Sequence, residues 1–269
     1  MAKYRFGFIG TGNMGGALAR AARKALPGKA IVLANRTRAK AEALAAELGC
    51  AVADNETVAA ESEYIFLGVK PQMMADMLAG IAPALAARRD RFVLVSMAAG
   101  LTLARIRELA GGDYPVLRIM PNTPAAIGCG MILYAADGSI SAEEKDAFVA
   151  ALAGAGRFDE LPENLIDAGS AVSGCGSAFA YMFIEALADG GVAVGLPRVK
   201  AQEYAAQMLL GAARLTLESG QHPGALKDAV CSPGGSTIIG VKALEDGGFR
   251  SAAFNAVIEA CRRTKELGK

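Results

Sequence analysis

The sequence predicts an α/β protein in which a doubly wound parallel sheet is followed by an all-α domain. Over roughly the first 160 residues, short β-rich runs alternate with longer helical patterns, as in a parallel sheet covered by helices on both faces. From Pro162 onward no alternating or β-branched run occurs, and apolar residues recur at helical spacing. We therefore expect two domains, residues 1–160 and residues 161–269.

The N-terminal elements follow one another in β-α order. The patterns predict strands at 4–9, 30–34, 64–69, 92–96 and 116–120 and helices at 13–26 and 37–48. The run 64–69 is continuously apolar, which is typical of a parallel strand buried on both faces. Pro71 suits the first position of a helix, where its missing N–H is not needed.

Helical spacing governs the C-terminal domain. The Gly-Leu-Pro break at 195–197 separates two predicted helices, each with one apolar face. The first face consists of Phe179, Met182, Phe183, Ala186 and Leu187, and the second of Ala205, Met208, Leu209 and Ala212. Further helices are expected after the turn at 232–235 and over 251–267. These Ala- and Gly-rich helices suit a homodimer, and packing within one subunit is the alternative.

Composition and charge exclude several classes of protein. Of the 269 residues 53% are hydrophobic, and 28 Lys+Arg stand against 27 Asp+Glu. This excludes a disordered chain and indicates no basic surface for nucleic acid or an anionic membrane. No apolar run of the roughly 18–20 residues needed for a membrane span is recognised, and the N-terminus lacks a signal-peptide pattern. We expect a cytoplasmic protein without nucleic-acid or membrane partners.

The cysteines and the histidine limit the available chemistry. The five cysteines are scattered singly and His222 is the only histidine, so neither a disulfide framework nor a zinc site is indicated. We expect no metal. The chemistry must instead use a cofactor, backbone dipoles, hydroxyls, carboxylates or lysines.

A glycine-rich turn joins the first predicted strand to the first helix. Residues 10–15 read Gly-Thr-Gly-Asn-Met-Gly, a GxGxxG motif in the strand–turn–helix context of a Rossmann-type dinucleotide site. The three glycines permit a tight turn, close approach of a pyrophosphate, and close helix–strand packing, in that order. Helix N–H groups would hold the diphosphate. A plain βα turn is the alternative.

The end of the second predicted strand indicates which dinucleotide binds. NAD sites usually carry Asp or Glu there for the ribose 2′-OH, whereas residues 34–38 read Ala-Asn-Arg-Thr-Arg. A guanidinium beside short polar groups suits a 2′-phosphate. NADP(H) is therefore the predicted cofactor, with NADH possible. In the alternative, Arg36 and Arg38 are solvated charges at a helix start.

Other turns lie where ligands bind in open α/β sheets, at the carboxyl ends of the strands. Lys70 either lines the cofactor crevice or is a solvated charge at its rim. The small residues at 97–100 predict backbone close to the nicotinamide. Two prolines flank Asn122 and Thr123 and hold them rigidly. Residues 232–237 (SPGGST) open a helix and can bind a carboxylate, unless they form only a capped helix start.

Five segments together carry a family resemblance: GFIGTGNMG, GVKPQ, MPNTP, SGCGSAFAY and, most specific, KDAVCSPGGSTIIGVKALEDGGFRSAAFNAV. Over essentially the whole chain the sequence resembles pyrroline-5-carboxylate reductases. That family reduces 1-pyrroline-5-carboxylate to L-proline with NAD(P)H, the last step of proline biosynthesis. The resemblance implies a Rossmann domain followed by a helical domain that dimerises, often within larger rings.

The resemblance also implies the site residues. Thr237 is the expected catalytic residue, with its hydroxyl facing the ring nitrogen of the substrate. The backbone N–H groups of Gly235 and Ser236 are expected to bind the carboxylate, and Gly234 and Asn122 complete the substrate site. The expected cofactor-binding residues are Ile9, Gly10, Thr11, Gly12, Asn13, Met14, Asn35, Arg36, Asn55, Val69, Lys70, Pro71, Met97, Ala98 and Ala99.

The chain departs from the family pattern at two places. The usual Ser-Gly-Ser-Gly-Pro-Ala is Ser-Gly-Cys-Gly-Ser-Ala at 173–178, and Cys231 replaces a threonine or serine.

Two other functions compete with the reductase. β-Hydroxyacid dehydrogenases share the arrangement of a Rossmann domain followed by helices, but they need a lysine on the helix after SGCG, and residues 177–184 contain none. A non-catalytic NADP-binding regulator would bind the dinucleotide without turnover.

Overall fold

A computed structural model describes residues 2–268 of the chain. Its strands are β1 (Tyr4–Ile9), β2 (Ile31–Ala34), β3 (Ala51–Val52), β4 (Ser62–Leu67), β5 (Val93–Ser96), β6 (Val116–Met120), β7 (Gly130–Ala136) and β8 (Gly156–Glu160). Its helices are α1 (Asn13–Ala25), α2 (Arg38–Leu48), α3 (Asn55–Glu61), α4 (Met74–Ala86), α5 (Leu103–Ala110), α6 (Ala142–Leu152), α7 (Glu163–Ser173), α8 (Gly176–Ala193), α9 (Arg198–Ser219), α10 (Pro223–Val230), α11 (Ser236–Asp246) and α12 (Phe249–Leu267).

The eight strands form one sheet in the order β3-β2-β1-β4-β5-β6-β7-β8. Ile9 at the end of β1 pairs in register with Ala34 of β2 and Leu67 of β4, so the carboxyl ends of these three strands are level. The strand order reverses at β1, where open α/β sheets bind ligands. The predicted fold class is confirmed, a doubly wound sheet followed from residue 161 by helices alone within the described chain.

One strand pair differs from the predicted all-parallel sheet. Strand β7 runs antiparallel to β6, while the other pairs are parallel. The connection from Met120 to Gly130 is shorter than the roughly dozen residues that a parallel crossover needs, so the chain turns back as a hairpin. Strand β8 then adds an edge that the sequence analysis did not predict.

Side chains on both faces of the sheet are buried. One face holds an aromatic cluster in which Phe8 stacks on Phe66 with ring centroids 4.3 Å apart, and Phe6 and Phe148 pack beside them. Helices α1, α2 and α6 cover this face. Helices α3, α4 and α5 cover the other. A rigid two-sided core therefore fixes the strand ends that carry the glycine-rich turn.

The packing divides the chain into two compact units, residues 2–175 with 260–268, and Gly176–Glu259. This division differs from the predicted boundary after residue 160 because α7 packs on the sheet. Its Ile166 is buried against Leu133 of β7, and its Asp167 forms an ion pair with Arg118 of β6, whose side chain is 1% exposed. The end of α12 also belongs to the sheet unit.

The helical unit buries little within one chain. Ala188 of α8 and Ala201 and Ala205 of α9 are its buried hydrophobic residues. Met182 is 69% exposed and Met208 is 48% exposed, so the prediction that α8 and α9 each bury an apolar face is wrong for the single chain. Phe183 of α8 packs on Phe249 with ring centroids 5.4 Å apart, whereas Met182 and Met208 stay largely exposed.

One helical stretch, Glu163–Ala193, is long and apolar enough to cross a membrane, judged by length and composition alone. The sequence analysis did not recognise this stretch, which is interrupted by Asp167 and Glu185. The stretch is not one regular helix, because α7 ends at Ser173 and α8 begins at Gly176. Val172, Tyr181 and Met182 of this stretch are exposed in the single chain.

Candidate functional site

The glycine-rich turn after β1 packs against the turn after β4. Gly10 has a φ of +102°, and its N–H donates to the Ala34 carbonyl at 2.8 Å. A Cβ on Gly10 would lie 2.5 Å from the Gly68 carbonyl oxygen, and a Cβ on Gly15 would overlap the Gly10 carbonyl oxygen. The first and third glycines of the motif are therefore required by backbone packing.

The second glycine serves a different purpose. A Cβ on Gly12 would meet no protein atom within 4 Å, so the space beside it is open to a ligand. Gly12 is also the N-cap of α1, which has no side-chain cap and no acidic residue in its first turn. Free N–H groups at such a helix start bind anions. Nearby, the Thr11 hydroxyl is buried with no hydrogen-bond partner in the described chain.

A cleft of about 950 Å³ opens at the carboxyl ends of β1, β2 and β4. Eight of the predicted cofactor-binding residues line it: Ile9, Gly10, Gly12, Asn35, Arg36, Asn55, Val69 and Lys70. Thr11, Asn13, Met14 and Pro71 belong to the same turns but are not among the lining residues. Met97, Ala98 and Ala99 follow β5 instead, outside this lining, and Ala98 is buried.

The cleft also contains residues that the sequence analysis missed. Lys40, Asp54, Met73, Asp76 and Met77 line it. Lys40 could have been found, because it lies in the first turn of the helix that follows the Asn-Arg-Thr segment. The others depend on how α3 and α4 pack against the sheet, which no local pattern reports.

The basic residues of the cleft differ in their partners. Arg38 forms an ion pair with Glu42 at 2.8 Å, one turn further along α2. The side chains of Arg36, Lys40 and Lys70 are exposed and make no hydrogen bond or ion pair within residues 2–268. On the opposite wall the Thr57 N–H donates to Asp54 at 2.7 Å and lowers the pKa of that carboxyl. Three unpaired cations are thus available to an anionic ligand.

Two predicted site asparagines are already hydrogen-bonded. The Asn35 Oδ1 accepts from the Thr11 N–H at 3.1 Å, and its Nδ2 donates to the Thr37 carbonyl at 3.0 Å. The Asn122 Nδ2 donates to the Ser173 carbonyl at 2.9 Å, and its Oδ1 accepts from the Met131 N–H at 3.0 Å. Asn122 thereby ties the loop after β6 to the end of α7.

The predicted substrate loop lies in the helical unit. Gly234 has a φ of +71° and Gly235 is the N-cap of α11. The Gly235 N–H donates to the Ser232 carbonyl at 3.0 Å, and its binding of the substrate carboxylate stays a prediction. The N–H groups of Ser236 and Thr237 open the helix and have no intrahelical acceptor.

The Thr237 side chain is exposed and unbonded. Helix α11 has no side-chain cap, and the Thr237 hydroxyl makes no hydrogen bond within residues 2–268. Thr237 therefore does not cap α11 with its side chain. A hydroxyl and two backbone N–H groups at one helix start can together bind a small anion and donate to, or accept from, a second polar group.

Comparison with known proteins determines the family. A family model described as pyrroline-5-carboxylate reductase dimerisation matches residues 163–267. Pyrroline-5-carboxylate reductase from Glycine max is 40% identical over 267 residues, covering 98% of this chain and 96% of the relative. The chain belongs to the pyrroline-5-carboxylate reductase family. The enzyme of that name from Escherichia coli is 38% identical and covers 98% of both chains.

Further comparisons agree with this family. A second family model, NADP oxidoreductase coenzyme F420-dependent, matches residues 5–100. The crystal structure of Plasmodium falciparum pyrroline carboxylate reductase with NADP bound has a TM-score of 0.88 at 30% identity and covers 100% of both chains. A reductase structure from Coxiella burnetii gives the same TM-score at 28% identity, with 99% of both chains covered. The chain is an oxidoreductase, and the resemblance found in the sequence is confirmed.

Proposed function

We propose that this chain reduces 1-pyrroline-5-carboxylate to L-proline, the last step of proline biosynthesis, with NADPH supplying the hydride. The observation that carries this proposal is the near full-length identity to pyrroline-5-carboxylate reductases. The cleft supports it independently, because its open glycine, its uncapped helix start and its unpaired cations suit a phosphorylated dinucleotide.

The residues of the cleft fit this cofactor. The N–H groups at the start of α1 and the open face of Gly12 suit the diphosphate. Arg36 has no acidic partner and suits the 2′-phosphate. Asn55, Val69, Lys70 and Pro71 are assigned to the surrounding walls. The loop at 97–99 is assigned to the nicotinamide half.

The start of α11 is the proposed substrate site. The N–H groups of Ser236 and Thr237, on the turn formed by Gly234 and Gly235, would bind the carboxylate. The Thr237 hydroxyl would hold the ring nitrogen, because a hydroxyl can donate to an imine and accept from an iminium. Asn122 retains one amide N–H for the substrate. With these groups in place, catalysis would depend mainly on positioning, which supplies about 7–11 kcal/mol in favourable cases.

We further propose a cytoplasmic homodimer built from the helices of residues 161–269, able to join larger rings. The match to a dimerisation model over 163–267 and the exposed apolar side chains of the helical unit support this assembly. A near-neutral net charge of +1 supports a chain without nucleic-acid or membrane partners.

The test measures cofactor oxidation with pyrroline-5-carboxylate and with a panel of hydroxy acids. We expect turnover only with the cyclic imine. Arg36→Asp should weaken NADPH more than NADH, by about 1.5–3 kcal/mol for a lost charge-assisted hydrogen bond. A chain that binds NADPH yet turns over none of these substrates would be a regulator, and an unchanged ratio of kcat/KM for NADPH and NADH would refute the role of Arg36.

A further inference from the structure

We propose that Asn35 is a positioning residue that joins the diphosphate turn and the 2′-phosphate segment into one rigid cofactor site. The inference rests on the proposed function of the cleft. Asn35 accepts from the Thr11 N–H at 3.1 Å and donates to the Thr37 carbonyl at 3.0 Å. Thr11 lies in the turn after β1, and Thr37 is the N-cap of α2. One amide therefore holds both segments.

Helices α1 and α2, which follow these two segments, are joined by the ion pair between Arg20 and Glu47, but the turns in front of them have few bonds to each other. The backbone bond from Gly10 to Ala34 is the last rung between β1 and β2, and both chains leave the sheet beyond it. In the described chain, the bond from Thr11 to Asn35 is the one hydrogen bond between residues 11–15 and residues 35–40. Removal of this bond would release the two turns locally, while the helices behind them stay packed on the sheet. Asn35 is thus placed to fix the distance between the diphosphate and 2′-phosphate positions.

The role requires an amide in particular. Asn35 uses an acceptor and a donor at once, and its two partners are a backbone N–H and a backbone carbonyl. Aspartate has the same size and keeps the acceptor for Thr11, but it offers no donor to Thr37 when ionised. Alanine removes both bonds. Asn35→Asp and Asn35→Ala therefore separate the two halves of the proposed function of this side chain.

The test uses two probes that differ by one phosphate, ADP-ribose and 2′-phospho-ADP-ribose, with binding measured by calorimetry on the full chain. Arg36→Ala is the matched control, because it removes a neighbouring cation without touching either amide bond. We expect Asn35→Ala to weaken both probes about 10-fold, corresponding to one or two lost hydrogen bonds. Arg36→Ala should weaken 2′-phospho-ADP-ribose alone.

Asn35→Asp gives the decisive contrast. Measured at high salt, which screens repulsion between the new carboxylate and the 2′-phosphate, it should bind ADP-ribose within about 3-fold of the wild type and lose about 10-fold or more for 2′-phospho-ADP-ribose, because only the α2 side is released. A merely structural role would lower the melting temperature without this split. Wild-type binding of ADP-ribose by Asn35→Ala would overturn the inference. Equal binding of the two probes by the wild type would instead contradict the proposed NADP preference and leave the Asn35→Ala comparison valid.

Discussion

At the scale of single residues, the environment of Thr237 separates catalysis from helix capping. A capping threonine would accept a hydrogen bond from a backbone N–H of the first turn. Thr237 lies at the second position of α11 instead, and its hydroxyl is exposed with no partner in the described chain. The side chain therefore contributes no capping hydrogen bond to stability, and its loss should lower activity.

We predict that Thr237→Ala lowers kcat/KM about 10- to 300-fold, as expected for a lost hydrogen bond of about 1.5–3 kcal/mol to a charged group. Thr237→Ser should retain most activity, and NADPH affinity should stay nearly constant. Thr216→Ala, which alters a half-buried threonine in the last turn of α9 whose hydroxyl donates to the Ala212 carbonyl at 2.9 Å, is the control and should leave turnover unchanged. Steady-state kinetics at saturating NADPH provide the measurement, and a wild-type kcat/KM in Thr237→Ala would end the catalytic assignment.

The sequence predicted residue types better than hydrogen-bond partners. Gly10, Gly12 and Gly15 could be assigned separate roles because each role follows from a missing Cβ, and the packing agrees for the first and third. The hydrogen bond between Asn35 and the Thr11 N–H could not be predicted, because the turn after β1 meets the end of β2 only in the folded sheet. The bond from the Gly235 N–H to the Ser232 carbonyl could not be predicted either, because it depends on the geometry of the turn at 232–235.

At the scale of elements, the start of α2 concentrates positive charge beside the cleft. Its first turn contains no acidic residue, and its N-cap makes no side-chain bond. Arg38 is paired with Glu42, whereas Lys40 in the same turn has no ion-pair partner among residues 2–268. Both residues line the cleft. The helix therefore places two cations beside the cleft, of which Lys40 is free to bind an anion and Arg38 is neutralised by Glu42.

We predict that Lys40→Ala weakens NADPH binding about 3- to 10-fold more than NADH binding, the effect of one exposed charge-assisted contact. Arg38→Ala is the matched control and should change the NADPH/NADH preference less than about 2-fold, since Glu42 already compensates its charge. Cofactor fluorescence titrations at two salt concentrations measure both effects, and the loss in Lys40→Ala should shrink at high salt. Equal losses in the two variants would contradict this assignment.

Several elements with a strong apolar pattern were predicted well, but β7 was missed although it is apolar and mostly buried, and so were elements defined by tertiary contacts. Strands β1 and β6 lie where the apolar runs placed them. Strand β3 has two residues and β8 is a largely polar edge strand, so neither carries a readable pattern. Helix α10 begins at a proline behind His222, whose side chain accepts from the Gly224 N–H at 3.0 Å. Such a cap is recognisable only once the turn is formed.

At the scale of the whole molecule, the two units differ in how they are stabilised. The sheet unit buries aromatic and aliphatic side chains on both faces. The helical unit exposes Tyr181, Met182, Tyr204, Met208 and Phe254, an amount of apolar surface that soluble monomers rarely show. A second copy of the chain would bury this surface, and in a twofold dimer each contact would occur twice.

The final prediction concerns Met182, which is 69% exposed on α8. Burying one methionine contributes about 1.5–3 kcal/mol, and twofold symmetry doubles this contribution. Met182→Glu should therefore raise the dimer dissociation constant at least 100-fold and make the melting temperature more dependent on concentration. Ala104→Glu, which adds the same charge at an exposed position of α5 in the sheet unit, should leave assembly unchanged. Light scattering at micromolar concentration measures the mass, and a wild-type monomer, or an undisturbed dimer in Met182→Glu, would contradict this interface.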